Sequence, residues 1–288
     1  MSHRRLAAQR RLPRATIAWV LDSGGFTELR LHGGWRTTRA EYVAAVRRYR
    51  DEIGGLEWAA PMDWMCEPFM LAKTGLSIAV HQVRTVANYL ELRSLAPDLP
   101  FVPVLQGWGR DDYVRCVELY QRAGVDLAAE RLVGVGSVCR RQATGEIEAI
   151  VHSLASLGIR LHGFGVKAGG LVRYAGCLES ADSLAWSFEA RRSAPLAGCS
   201  HANCANCLRY AAAWRERTLA RVGAVQLHLR PAVWTGSGRR PSSPHGRAPG
   251  GLHRRVVLLL SALVVMAFVY ALIVVFVLLV AHVRGTPM

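Results

Sequence analysis

The sequence predicts an α/β protein of the (β/α)8 TIM-barrel class, followed by a small zinc-binding element and a C-terminal transmembrane helix. Three observations lead to that class. Strand-like and helix-like runs alternate from Thr16 to about Ser187. Polar residues cluster where the strand-like runs stop. A Cys/His cluster and then a long uncharged stretch follow the alternating region. The expected division is a barrel over 1–198, a zinc-binding segment over 199–220, a basic flexible linker over 221–255 and a transmembrane helix over 256–283.

The strand-like runs are Ile17–Leu21, Leu56–Ala60, Phe101–Gln106, Arg131–Val138, Ile159–Val166 and Cys177–Ala185. Each is short, and most are rich in apolar or β-branched residues, as suits strands covered on both faces. Between them, Arg39–Gly54, His81–Ala96, Asp111–Gly124 and Gly145–Gly158 carry apolar residues at helical spacing. Several of these end in glycine, the usual residue just past a helix. Strand–helix alternation requires parallel strands. A closed barrel needs eight and the chain offers six, beginning almost directly on the first, which leaves room for a missing first strand.

Asp22, Asp63, Gln106, Ser137, Lys167 and Asp182 sit at or just past the ends of these runs. In a barrel those ends converge on one mouth, where active sites lie. A Rossmann-like sheet would also gather ligands there, but no G-x-G-x-x-G opens a helix. In "DSGGF", Asp22 can act as base or hydrogen-bond acceptor, Gly24 and Gly25 let the backbone approach a flat ligand, and Phe26 can stack on it. An N-capped turn accounts for that motif equally well. In "PMDWMCEP", Asp63 among large apolar neighbours suits the N–H edge of a purine, or caps a turn. Gln106 in "VPVLQGW" offers a donor and an acceptor to a nucleobase, or is a buried structural glutamine. Gly134 and Gly136 in "LVGVGSV" mark close approach of a ligand, or tight packing.

The cluster "CSHANCANC" is more specific. Cys199, His201, Cys204 and Cys207 place four soft or borderline ligands within nine residues and fit a closed, structural Zn2+ site. His228 is the alternative fourth ligand. The other cysteines of the seven are scattered, which suits a reducing compartment better than a disulfide framework. The chain of 288 residues carries a formal charge of +15, almost wholly as arginine, since Lys73 and Lys167 are its only lysines. Such an excess points to nucleic acid or an anionic membrane; an arginine-rich coding bias gives the same composition. Arg140, Arg141, Arg191 and Arg192 are candidates to grip phosphates, or solvated surface charges.

From Val256 to Ala281 there is no charged residue. As a helix this stretch is about 39 Å long, enough for a hydrocarbon core of about 30 Å. Arg254 and Arg255 precede it and only Arg284 follows, so the positive-inside bias places the body on the cytoplasmic side of a single-pass membrane protein. The first fifteen residues are basic and lack the apolar core of a secretory signal.

Seven motifs in order, "LDSGGFTEL", "PMDWMCEP", "VPVLQGW", "VGVGSVCRRQ", "LHGFGVK", "SADSLAWS" and "CSHANCANCLRYAAAWRER", span Ala15 to Arg217. This ordered set resembles the tRNA-guanine transglycosylase superfamily, and more closely its DNA-acting branch, the DpdA family. The resemblance implies a zinc-containing barrel that exchanges guanine in DNA for a 7-deazaguanine base, such as 7-cyano-7-deazaguanine, through a covalent Asp-glycosyl intermediate. It implies Asp182 as nucleophile and Asp22 as general acid/base or substrate contact. Ser23, Gly25 and Phe26 would hold the base, Asp63 and Gln106 read its edge, and Gly134 and Gly136 line the pocket. It implies DNA and DNA-modification proteins as partners, to which the uncharged C-terminal stretch adds the membrane; such an anchor is foreign to the family. The alternatives are a transglycosylase acting on tRNA and an inactive, membrane-tethered nucleic-acid-binding barrel. Two departures stand out: the tRNA enzymes carry two aspartates where "SADSLAWS" has one, and His201 replaces the second cysteine of their zinc motif.

Overall fold

The computed structural model describes residues 1–229. The linker beyond Leu229 and the span at Val256–Ala281 lie outside those residues. Among the described residues no helix is long and apolar enough to cross a membrane.

All six expected strands form, each shorter than its apolar run. β1 (Trp19–Leu21) pairs with β2 (Leu56–Ala59), and β3 (Val104–Leu105), β4 (Val133–Val135), β5 (Leu161–Gly163) and β6 (Ser180–Ala181) pair in that order, every pair parallel. An isolated parallel bridge, Ala59 to Phe101, joins the two sheets, so the strand order follows the chain without a gap. Beyond β1, Ser2 makes one parallel bridge to Asp22. The expected eight strands are therefore six, plus a single bridge. No pairing closes β6 back onto the N-terminal edge among the described residues; β6 is two residues long and exposed on both.

The sheet is nevertheless strongly curled. β2 and β5 are three strand spacings apart in the order, about 14 Å on a flat sheet. Yet the rings of Trp58 on β2 and His162 on β5 meet edge to face with centroids 4.7 Å apart. Alternation along the strands sorts the side chains accordingly. Trp19, Leu21, Ala59, Val133, Val135 and Leu161 join the main core with the helices, while Val20, Trp58, Ala60, Val102 and Phe164 form an inner cluster.

The outer layer comprises α1 (His3–Ala7), α2 (Gly25–His32), α3 (Arg39–Ile53), α4 (Pro68–Thr74), α5 (Ile78–Leu95), α6 (Arg110–Arg122), α7 (Gly145–Ala155) and α8 (Ala168–Tyr174). α9 (Ala185–Ala190) and α10 (Leu208–Leu229) follow, the latter running past residue 221, where the linker was expected to begin. Thr38 caps α3 in a reciprocal box with Glu41, and Thr144 and Ser77 cap α7 and α5. The buried face of α5 is unusual in being partly polar: His81, Gln82, Thr85 and Asn88 all point inward.

Candidate functional site

Where β1 stops, the chain turns sharply into α2. Gly24 takes a left-handed conformation (φ 78°), which glycine adopts without strain. At Gly25 a side chain would press on Trp35 at 2.9 Å and on the Asp63 carbonyl at 3.2 Å. Ser23 is buried; its Oγ accepts from the Gly25 N–H (3.2 Å) and donates to Asp63 Oδ1 (2.9 Å). Asp22 is partly buried, and burial and the nearby Asp182 charge raise its pKa, against hydrogen bonds from Ser2 and the Gly24 N–H.

Asp63 lies in the loop after β2, fully enclosed by the protein. Its Oδ2 accepts from Gln106 Nε2 at 2.6 Å. Burial and then Asp22 push its pKa up to about 7, with Ser23 and Gln106 opposing. Gln106, directly after β3, completes a chain. Ser137 Oγ lies 2.6 Å from Gln106 Oε1 and 3.1 Å from Glu67 Oε2, and accepts from the Cys66 N–H at 2.7 Å. One hydroxyl hydrogen cannot serve two acceptors, but burial raises the Glu67 pKa. A protonated Glu67 that donates to Ser137, with Ser137 donating to Gln106, satisfies every atom of the chain. Ser137 is the single non-glycine residue with positive φ (58°) among the described residues, a conformation that costs energy and concentrates at functional sites.

The glycines of β4 provide close approach, with the space taken by neighbouring side chains. A Cβ on Gly136 would overlap the Gln106 carboxamide, and one on Gly134 the Phe164 ring. Phe26 is half-buried and packs beside Trp64, Met65 and Trp35, with Phe69 edge-on at 6.0 Å.

Asp182 follows β6, and its side chain is 48% exposed. Its Oδ1 accepts from the Gly165 N–H at 2.7 Å and faces His162 Nε2 at 3.7 Å. Desolvation works to raise its pKa, but His162 and the Gly165 N–H outweigh it and hold Asp182 below the ordinary carboxylate value. Asp22 and Asp182 are close enough for each charge to act on the other. Asp182 also opens onto a largely apolar groove of about 670 Å³ between β6 and α10, lined by Leu178, Trp186 and Trp214 among others. Thus the structure gathers Asp22, Ser23, Asp63, Gln106 and Asp182 at the strand ends.

Glu67 and His162 were missed in the sequence. Glu67 shares the motif "PMDWMCEP" with Asp63 among apolar residues, and that was its only signal; His162 carried none beyond its inward parity on β5. Of the candidate phosphate contacts, Arg140 is exposed and lies over Phe69 at 4.5 Å, while Arg192 covers Phe188 at 3.5 Å. Arg141 is 14% exposed, stacked on Trp108 and bound to Glu146, which fits a structural role better than a DNA contact.

The donor atoms of Cys199, His201, Cys204 and Cys207 all lie within 4.8 Å of one another. Cys199 and Cys207 sulfurs are 3.9 Å apart and His201 Nε2 is 3.1 Å from Cys204 Sγ. A zinc tetrahedron with bonds of about 2.3 Å to sulfur has S···S edges of about 3.8 Å, so the set fits that ion. Cys207 precedes α10, and the Tyr210 N–H lowers its pKa, favouring the thiolate that a metal needs. Arg209 reaches Cys199 Sγ at 3.7 Å. Four protein ligands leave no open position, as in structural rather than catalytic sites.

A comparison with curated proteins gives no match. The family described as DpdA, DeoxyPurine in DNA protein A, matches residues 1–240, and the chain belongs to that family.

Proposed function

We propose that this chain is a membrane-tethered base-exchange transglycosylase, built on an incomplete (β/α) barrel, that replaces guanine in DNA with a 7-deazaguanine derivative. Family membership implies a DNA-modifying, guanine-transglycosylase-like function; the substrate base, the residue roles and the tether are our reading. The observation that carries it is the pair Asp22 and Asp182. These carboxylates, after β1 and β6 and close enough for the Asp182 charge to act on Asp22, are pushed in opposite directions, Asp22 up and Asp182 down. Such a divergence assigns an acid and a nucleophile.

In that scheme Asp182 Oδ2 attacks the anomeric carbon as the bond to guanine N9 breaks, and the departing base takes a proton from Asp22. The sugar rests as an ester on Asp182. N9 of the incoming 7-deazaguanine then attacks the same carbon, Asp182 leaves as carboxylate, and the N9 proton passes to Asp22. The phosphodiester backbone is untouched. Asp63, held by Ser23 and Gln106, reads the N–H edge of the base, and Phe26 stacks on it. A guanine inside a duplex must first leave the stack. Zn2+ at the four-ligand cluster supplies structure and takes no part in these steps.

The test is incubation of the zinc-loaded chain with duplex DNA, single-stranded DNA and tRNA, each with a 7-deazaguanine donor, followed by nucleoside mass spectrometry. Deazaguanine is expected in DNA alone, and Asp182→Asn is expected to abolish it. The rate should fall on the acid side as Asp182 protonates and on the basic side as pH rises through the raised pKa of Asp22. Incorporation into tRNA alone, or full activity of Asp182→Asn, would sink the reading.

A further inference from the structure

Among the buried groups outside the assigned roles, the sharpest is a histidine with an idle nitrogen. His162 is 3% exposed. Its ring lies between Trp58 and Phe164, with centroids at 4.7 and 4.8 Å. Nδ1 is 2.8 Å from Ser180 Oγ, whereas Nε2 is buried without a hydrogen-bond partner among the described residues. A buried polar atom left unpaired is costly, so its persistence calls for a reason.

Strand geometry supplies one. His162 and Ser180 are register partners on β5 and β6. Asp182 lies two residues beyond Ser180, on the same side of the strand. Ser180 therefore meets one ring nitrogen while Asp182 Oδ1 faces the other at 3.7 Å. If Ser180 donates its hydroxyl hydrogen to Nδ1, the single N–H of the neutral ring must sit on Nε2, aimed at the carboxylate. Aromatic walls on two sides prevent the ring from turning away.

We infer that His162 is a positioning residue for Asp182, donating from Nε2 to Oδ1 together with the Gly165 N–H and so presenting Oδ2 to the sugar. The inference rests on the reading of Asp182 as nucleophile. The gap of 3.7 Å is that of a contact that tightens by under about 1 Å when substrate binds, as hydrogen bonds in empty active sites commonly do. During glycosyl transfer Oδ1 becomes the ester carbonyl and keeps both donors. When the incoming base attacks, the same donors receive the charge that returns to the carboxylate.

The groups facing Asp182 are His162 on β5, the Gly165 N–H, Asp22 at the end of β1 and the amino group of Met1. Of these, His162 and the Gly165 N–H do most to offset burial. Removing the histidine donor should therefore let Asp182 protonate at higher pH and move the acid limb of the rate profile upward.

The experiment measures base exchange between pH 5 and 8 by the full, zinc-loaded chain and by His162→Leu, His162→Asn, His162→Gln and Asp182→Asn. Zinc content and thermal midpoint are recorded for each. Leu has no donor and Asn is too short to reach Asp182, so both should lose roughly 10- to 100-fold in kcat with KM little changed. Their acid limbs should shift to higher pH. Gln, whose amide reaches the carboxylate, should recover most of the rate and the original limb. If His162→Leu fails to fold, the Asn and Gln pair carries the same comparison. An unshifted limb in folded His162→Leu or His162→Asn, with Asp182→Asn inactive, overturns the inference and leaves the nucleophile reading intact. Activity in Asp182→Asn overturns the reading beneath it.

Discussion

The carboxylate of Asp63 shows how much one residue's environment can hold. It is enclosed, raised to about 7 by burial and Asp22, and restrained by Ser23 and Gln106. A carboxyl whose folded pKa lies above its unfolded value binds more protons when folded. Stability then falls as pH rises between about 4 and about 7 and stays low above it. Unfolding by urea at pH 5 and pH 8 should show the wild type less stable at the higher pH, by on the order of a few kcal/mol. Asp63→Asn, which cannot ionise, should reduce that slope, leaving the part due to Asp22 and Glu67. An equal slope in both proteins would remove Asp63 as its source. The same substitution leaves one acceptor where there were two, so either Ser23 or Gln106 must give up or reverse its hydrogen bond to position 63. The base-reading role predicts weaker binding of the 7-deazaguanine base to Asp63→Asn even at pH 5, readable by calorimetry.

At the scale of elements, the loops that carry the site are held by polar groups rather than by apolar packing. Gln82 on α5 donates to the Gln106 carbonyl at 2.7 Å, Asn88 donates to the Met62 carbonyl, and the Trp64 N–H donates to Thr85 at 2.9 Å. Tyr113 donates to the Gly136 carbonyl and Tyr42 to that of Ala60. Beyond β6 the same logic holds α10: Glu189 on α9 accepts from Tyr210, Trp214 and Arg217. The Cys/His cluster ties the preceding loop to the start of that helix, so an ion held there would couple metal binding to folding. Stripping zinc with a chelator, or Cys204→Ser, should lower the thermal midpoint and reduce helical circular dichroism. A chain purified with no zinc and indifferent to chelation would rule out the cluster as a structural site. The six strands and the four longest helices of the barrel region were legible because period and strand-end polarity are local signals. Glu67, His162 and the inward polar face of α5 were not, since their roles depend on partners such as Met65, Ser180 and Ser137, 16 to 70 residues away. α2, α4 and α8 were also missed; each has only seven or eight residues, too few for a helical period to stand out.

Across the whole molecule, the curled sheet and the apolar C-terminal stretch make separate demands. The contact of Trp58 with His162 brings β2 and β5 together across the interior, so the ends of β1 and β6 can face one mouth without a paired seam between them. Every residue of that arrangement lies within the described residues 1–229. The stretch from Val256 to Ala281 is a different matter, because burying so many apolar side chains without a charge requires a lipid core or an equally apolar protein surface. In the proposed reading, Arg254 and Arg255 on its N-terminal side, against Arg284 alone on the other, would keep residues 1–229 on the cytoplasmic side. The full chain should therefore sediment with membranes and resist extraction by alkaline carbonate, which strips peripheral proteins. A chain ending at Leu229 should stay in the supernatant and exchange base at an undiminished rate per zinc-loaded molecule. If the full chain remains in the supernatant, the tether fails and the transglycosylase reading stands. If the shortened chain is folded and zinc-loaded yet inactive, the C-terminal residues contribute to catalysis and the two demands are not separate.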